Sequence, residues 1–136
     1  GAFVLGKKVA ETSLAPGDHG TTYGGNPFVC AAVSKVFDLY EKEQIVDHVQ
    51  KVGAYLEEKL NALVDKYDFL KERRGKGLIQ GLEVEGRPVG EIVNRALEHG
   101  LIIITAGSNV LRFVPPLVIE KKHVDEMIAK LKKCLQ

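Results

Sequence analysis

Cysteine is scarce in this sequence. Cys30 and Cys134 are the two present among 136 residues. Neither has a CxxC partner, so neither a disulfide framework nor a zinc cluster is indicated. That usage fits a reducing compartment, and a cytoplasmic protein is the expectation. An excess of one charge is lacking too. Nineteen Lys plus Arg stand against 18 Asp plus Glu, which leaves no electrostatic footprint for nucleic acid or an anionic membrane. No apolar run approaches the roughly 20 residues of a membrane span. Lys7, Lys8 and Glu11 come too early for a cleavable signal. The chain shows no repeats and no low-complexity stretch.

What is present suits about one folded, soluble domain: 45% apolar and 27% charged residues. The chain opens Gly1-Ala2-Phe3-Val4-Leu5-Gly6. Ala2 to Leu5 reads as a short buried strand. A strand with no initiator Met and nothing before it leads us to expect a piece of a longer protein. Residues 7–14 suit a short helix. Residues 15–25 form a loop by composition. Asn26-Pro27 then starts a helix, Asn capping the free N–H groups and Pro fitting the first turn. Phe28, Ala31, Ala32, Val36 and Tyr40 recur along it at helical spacing.

Ile45, Val49, Val52, Leu56, Leu60, Leu63 and Tyr67 step by three and four, which predicts one long amphipathic helix of about six turns. Residues 78–84 read as a strand. Pro88 opens a helix with Val89, Ile92, Val93, Ala96 and Leu97 inward, ended by Gly100. Residues 101–104 and 110–114 read as strands, the second stopped by Pro115-Pro116. Val124, Met127, Ile128, Leu131 and Leu135 mark a last helix. From about residue 72 this order predicts an α+β layer, a small sheet with helices on one face.

The segment Gly20-Thr21-Thr22-Tyr23-Gly24-Gly25-Asn26-Pro27 carries the most chemistry. Glycines, adjacent hydroxyls and a helix start behind them suit a phosphate or carboxylate. The spacing is not that of a Walker loop, and no Lys follows. Composition alone favours a plain connection capped by Asn. Arg112 sits inside the apolar strand Val110-Leu111-Arg112-Phe113-Val114. Alternation turns it away from Leu111 and Phe113, and its planar fork fits a carboxylate. A solvent-facing or ion-paired Arg is the plainer role. Arg73-Arg74-Gly75-Lys76 reads as a solvated basic turn before the sheet. His48 and His123 read as surface residues. His99 favours a helix C-terminus. Asp18-His19 lacks an accompanying nucleophile. Cys30 reads as a small core residue. Tyr23 either stacks on a ring or simply packs.

Three segments together resemble a known family: Gly17 to Pro27 followed by Cys30-Ala31-Ala32, Arg74-Gly75-Lys76-Gly77-Leu78, and Leu111 to Ile119. They resemble the class III aminotransferases that use pyridoxal 5'-phosphate. Pro88 to Val93 and Gly100 to Ile103 look most like its branch acting on acetylated ornithine. The resemblance spans essentially the whole chain. It implies the C-terminal part of a fold-type-I enzyme, α/β overall, with a small antiparallel-type sheet. Residues 1–41 would be the tail of the large cofactor-binding domain, and 42–136 the small domain. Thr22 would reach the cofactor phosphate of the partner in a homodimer whose active sites lie at the subunit boundary. Thr21, where many relatives carry Ser, would contact the amino-acid substrate. Arg112 would take the substrate α-carboxylate or pair with an active-site Glu. The cofactor-binding Lys, the Asp on the pyridinium nitrogen and the stacking aromatic would lie upstream of Gly1. This chain would then hold no catalytic residue and be inactive alone, since such chemistry needs that Lys in a formed pocket.

The resemblance implies amino-group transfer between N2-acetyl-L-ornithine and 2-oxoglutarate in arginine biosynthesis. Ornithine or 4-aminobutyrate transamination is the alternative within the family, and Tyr23 suits the ornithine enzymes. An alternative of another class is a stand-alone anion-binding or dimerisation module.

Overall fold

The computed structural model describes residues 4–15 and 17–136. The chain divides into two compact units, Gly1–Asp38 and Leu39–Gln136. In chain order the elements are α1 (Lys7–Thr12), α2 (Pro27–Lys42), α3 (Ile45–Val64), β1 (Leu70–Lys76) and β2 (Ile79–Val84). They continue as α4 (Val89–Glu98), β3 (Ile104–Ala106), β4 (Val110–Phe113) and α5 (Lys121–Cys134). No described helix is long and apolar enough to cross a membrane.

In the first unit, the expected strand over 2–5 falls partly outside the described residues. Val4 and Leu5 belong to no strand. Asn26 caps α2 as its position predicts: Oδ1 accepts the Val29 N–H at 3.0 Å. Cys30 is exposed, which corrects its reading as a core residue. α2 has no buried residue at all, so its apolar spacing finds no covering layer among the described residues.

The second unit holds one four-stranded sheet in the order β1-β2-β4-β3, antiparallel throughout. α3 packs on β1 and β2, α4 on β3 and β4, and α5 on α3 and α4. The core lies on the helix side: Leu56, Leu60 and Leu63 of α3 meet Leu82 of β2, Leu111 of β4 and Leu131 of α5. A chain break before α3 is made by Gln44, the one described non-glycine residue at positive φ (49°). Tyr55 donates to Asp125 Oδ1 at 2.7 Å and ties α3 to α5.

The structure corrects the sequence reading at four places here. Arg73-Arg74-Gly75-Lys76 is no turn but the second half of β1, an edge strand. Residues 101–104 were expected as a strand, but pairing begins at Ile104. Ile103 is buried while Ile102 is 83% exposed, so the apolar run is a lead-in segment. Leu97 points out of α4 at 64% exposure; Ala96 takes the inward position. His48 is half-buried, and its Nε2 lies 2.7 Å from the Ile119 carbonyl oxygen.

β1 escapes a hydrophobic reading because a polar network anchors its inner face. Arg73 donates to Glu57 Oε1 at 2.6 Å, Gln80 Oε1 at 2.9 Å and Asn61 Oδ1 at 3.1 Å. Gln80 is fully buried and donates in turn to the Gly77 carbonyl at 2.7 Å. Every member is satisfied, which is what makes a buried polar cluster tolerable. At the hairpin, Gly53 of α3 lies so close that an added Cβ would sit 2.8 Å from the Gly77 backbone. Helix and hairpin are therefore fixed to each other by a backbone contact as well as by the Arg73 network.

Candidate functional site

The glycine-rich loop folds back on itself. The Gly24 N–H donates to Thr21 Oγ1 at 3.3 Å. A Cβ on Gly24 would meet the Thr21 methyl at 2.2 Å, so any side chain there would force Thr21 to move. Gly25, at φ +76°, turns the chain into α2. Asn26 Nδ2 donates to the Tyr23 carbonyl and closes the loop. Thr21 is thereby used by the loop. Thr22 is exposed, and its hydroxyl makes no hydrogen bond among the described residues. Asp18 Oδ2 accepts the Ala15 N–H at 2.7 Å, which stabilises the turn. Tyr23 is exposed and stacks on no ring among the described residues.

Arg112 lies in the second unit, in β4, between the buried Leu111 and Phe113. Its side chain is exposed. Paired residues in an antiparallel sheet share a face, so the register defines its surroundings. One row across the open face reads Arg74, Gly81, Arg112, Ile104. The next reads Glu72, Glu83, Val110, Ala106. Gly81 puts no side chain between the two arginines. Ile79 and Ile104 stand exposed on the same face. The Arg112 guanidinium makes no hydrogen bond or ion pair among the described residues. Arg74, by contrast, is engaged with Glu83. A free guanidinium on a half-apolar face has the chemistry to take a carboxylate bidentately.

A groove of about 560 Å³ lies elsewhere in this unit, lined by Ile45, Val49, Gly77, Val114 and Leu117 among others. Its walls are mostly apolar. No group of three or more His, Cys, Asp and Glu among the described residues is placed to hold a metal ion. Cys134 is buried, its Sγ 3.2 Å from the Lys130 carbonyl oxygen, and burial pushes its thiol pKa up. It is an inert core thiol. His123 takes part in an N-terminal cap of α5, its Nδ1 accepting the Glu120 N–H at 2.9 Å.

Sequence reasoning singled out Thr21, Thr22 and Arg112. It missed Arg74, Gly81 and Glu83, which share the open face with Arg112, and Asn109, which holds Glu83. No local pattern gave them away, since they meet only through the strand register.

An antiparallel sheet with helices on one face and an unpaired arginine on the other defines a class: solved structures that share this fold include aminotransferases. That of acetylornithine aminotransferase from Elizabethkingia anophelis superposes with a TM-score of 0.77 at 28% identity, covering 90% of this chain and 31% of that one. Plasmodium falciparum ornithine delta-aminotransferase gives 0.78 at 31% identity, covering 90% and 32%. The family model "Aminotransferase class-III" matches residues 1–135, and the chain belongs to that family. Among curated relatives, acetylornithine aminotransferase of Caldanaerobacter subterraneus subsp. tengcongensis is 44% identical over 131 residues, covering 94% of this chain and 33% of the relative. The chain thus spans about a third of the length of the relatives it matches.

Proposed function

We propose that this chain forms the C-terminal part of an acetylornithine-type aminotransferase. Its residues 42–136 serve as the small domain and residues 1–41 as the end of the cofactor domain. The enzyme transfers an amino group between N2-acetyl-L-ornithine and 2-oxoglutarate, a step of arginine biosynthesis, in the cytoplasm. The observation that carries this reading is the unpaired Arg112 on the open sheet face of a chain 44% identical to an acetylornithine aminotransferase.

The residues present fit pyridoxal phosphate in part. The Thr22 hydroxyl is exposed and unbonded, as a donor to a phosphate oxygen must be. The described loop holds no lysine, so the covalent hold on the cofactor is assigned to another part of the enzyme. When bound, the cofactor supplies the electron sink and the carrier for the amino group. This chain's contribution is binding and orientation. Thr22 donates to the phosphate of the cofactor in the partner subunit of a homodimer. Thr21 shapes the loop and offers its oxygen toward the substrate. Arg112 fixes the substrate carboxylate through two parallel N–H···O bonds, and thereby sets which end of the substrate faces the cofactor.

Two outcomes check the reading on the complete native enzyme. With 2-oxoglutarate as acceptor, kcat/KM for N2-acetyl-L-ornithine should exceed that for ornithine at least about tenfold, a difference of roughly 1.4 kcal/mol in transition-state binding. A preference for free ornithine sinks the acetylornithine assignment and favours the ornithine branch. Thr22→Val, which keeps the shape and removes the hydroxyl, should weaken cofactor retention about 10- to 100-fold. A hydrogen bond to a charged group contributes roughly 1.5–3 kcal/mol. Cofactor dissociation followed by dialysis and absorbance gives the number; unchanged retention removes Thr22 from the phosphate site.

A further inference from the structure

Arg112 stays free although an acidic residue lies close to it. Glu83 pairs with Val110 in the β2–β4 register, which places it diagonally from Arg112 on the same face. Diagonal neighbours are about 7–8 Å apart, within reach of long side chains. Left alone, Glu83 is the natural partner for Arg112. Two contacts turn it the other way. Arg74 Nη2 donates to Glu83 Oε2. Asn109 Nδ2 donates to Glu83 Oε1 at 3.0 Å. Arg74 Nε also lies 3.8 Å from Glu72 Oε2. Glu72 and Glu83 are directly opposed across β1 and β2, and like charges so placed repel. Arg74 bridges the two. Without it, repulsion from Glu72 drives Glu83 toward Arg112. Lys76 stands on this face in the row beyond, paired with Ile79, and Lys71, at the bulge of β1, is ion-paired with Glu85 at 3.1 Å.

We infer that Arg74, helped by Asn109, is a positioning residue that holds Glu83 away from Arg112 and so keeps the Arg112 guanidinium open for a substrate carboxylate. This rests on the carboxylate-binding role proposed for Arg112 and names the device that maintains it. The two arginines flank Gly81 in one row of the sheet. One neutralises the acidic pair, and the other is left for the ligand. In the Arg74-deficient enzyme a ligand carboxylate must displace Glu83 before it binds, and affinity falls by the strength of that internal ion pair.

The test measures binding of glutarate, a dicarboxylate with no carbonyl or amino group to react, to the complete cofactor-loaded dimer by calorimetry. Arg74→Gln should raise the glutarate Kd about three- to fivefold, the range of a partly exposed ion pair. Adding Glu83→Gln to Arg74→Gln should restore the Kd to within about twofold of the parent, because the competing carboxylate is gone. Arg74→Lys, which keeps a cation beside Glu83, should stay near the parent. Asn109→Ala removes the other hold on Glu83 and should shift the Kd in the same direction, which reads the same question should the Arg74→Gln enzyme fail to fold. An unchanged Kd in Arg74→Gln overturns the inference. So does a loss that Glu83→Gln does not restore, since that marks a merely structural role. Arg112→Ala separates the two levels: if it binds glutarate like the parent, the carboxylate role of Arg112 fails and the inference with it. If it loses glutarate while Arg74→Gln does not, the positioning role alone fails.

Discussion

Replacing Arg112 by alanine in the complete enzyme should lower kcat/KM for its carboxylate substrates about 100-fold and leave the fold in place. The expected size follows from the bonds lost. A charge-assisted hydrogen bond contributes roughly 1.5–3 kcal/mol, and a planar fork makes two in parallel. Water refills part of the space, so about 2.7 kcal/mol, or 100-fold, is the net loss. Folding is spared because Arg112 is exposed and has no partner among the described residues. Substitutions of that kind fall within about 0.5 kcal/mol. Steady-state kinetics with 2-oxoglutarate, alongside thermal melts, reads both quantities. A variant that melts early yet keeps kcat/KM while folded would assign Arg112 to structure.

The neighbouring residue should behave in the opposite way. Leu111 is fully buried, faces α4 and lies directly opposite Leu82. Leu111→Ala removes core volume that the surrounding leucines cannot refill, at a cost of about 2–5 kcal/mol. The loss should appear as faster amide hydrogen exchange throughout β2 and β4, because those strands open together with the core. The fraction that remains folded should keep its substrate affinity. Adjacent residues of one strand thus report on two faces of one sheet: one face holds the core, and the other carries the proposed carboxylate site. Unaltered exchange in Leu111→Ala would contradict the placement of the core.

Periodicity carried α3, α4, α5 and the central strands well because their apolar residues face a single core. The α3 series from Ile45 to Leu63 is buried at the steps of three and four that define it, apart from the half-covered Val49. Val84, Leu82 and Leu111 likewise alternate as strand residues facing helices should. β1 was illegible for a physical reason. As an edge strand it needs little apolar surface, and its inner face is anchored through Arg73 to Glu57, Asn61 and Gln80. A polar network of that kind carries no hydrophobic signature. The run Leu101-Ile102-Ile103-Ile104 misled in the other direction. Four apolar residues in a row do not say which of them pair, and here pairing is left to Ile104–Ala106. Leu97 and Cys30 were expected inside because their neighbours are apolar, yet both are exposed.

The site divides in the same manner. Alternation alone puts Arg112 on the face opposite Leu111 and Phe113, and the structure places it there. Asn26 as a cap was legible from Asn-Pro before a helical pattern. That Thr21 Oγ1 accepts a hydrogen bond from its own loop while Thr22 makes none among the described residues depends on the turn at Gly24, which composition does not specify. The ring of groups around Arg112 depends on register, since Gly81, Glu83 and Arg74 come from two other strands. Register is set by tertiary pairing, so those residues could not be joined before the strands were.

The most direct test of the account is a crystal structure of the complete native enzyme with glutarate bound. The account predicts both outer N–H groups of Arg112 within about 3 Å of one glutarate carboxylate, with Glu83 still held by Arg74 and Asn109. Glutarate seated elsewhere, with Arg112 paired to a carboxylate of the protein itself, would contradict it.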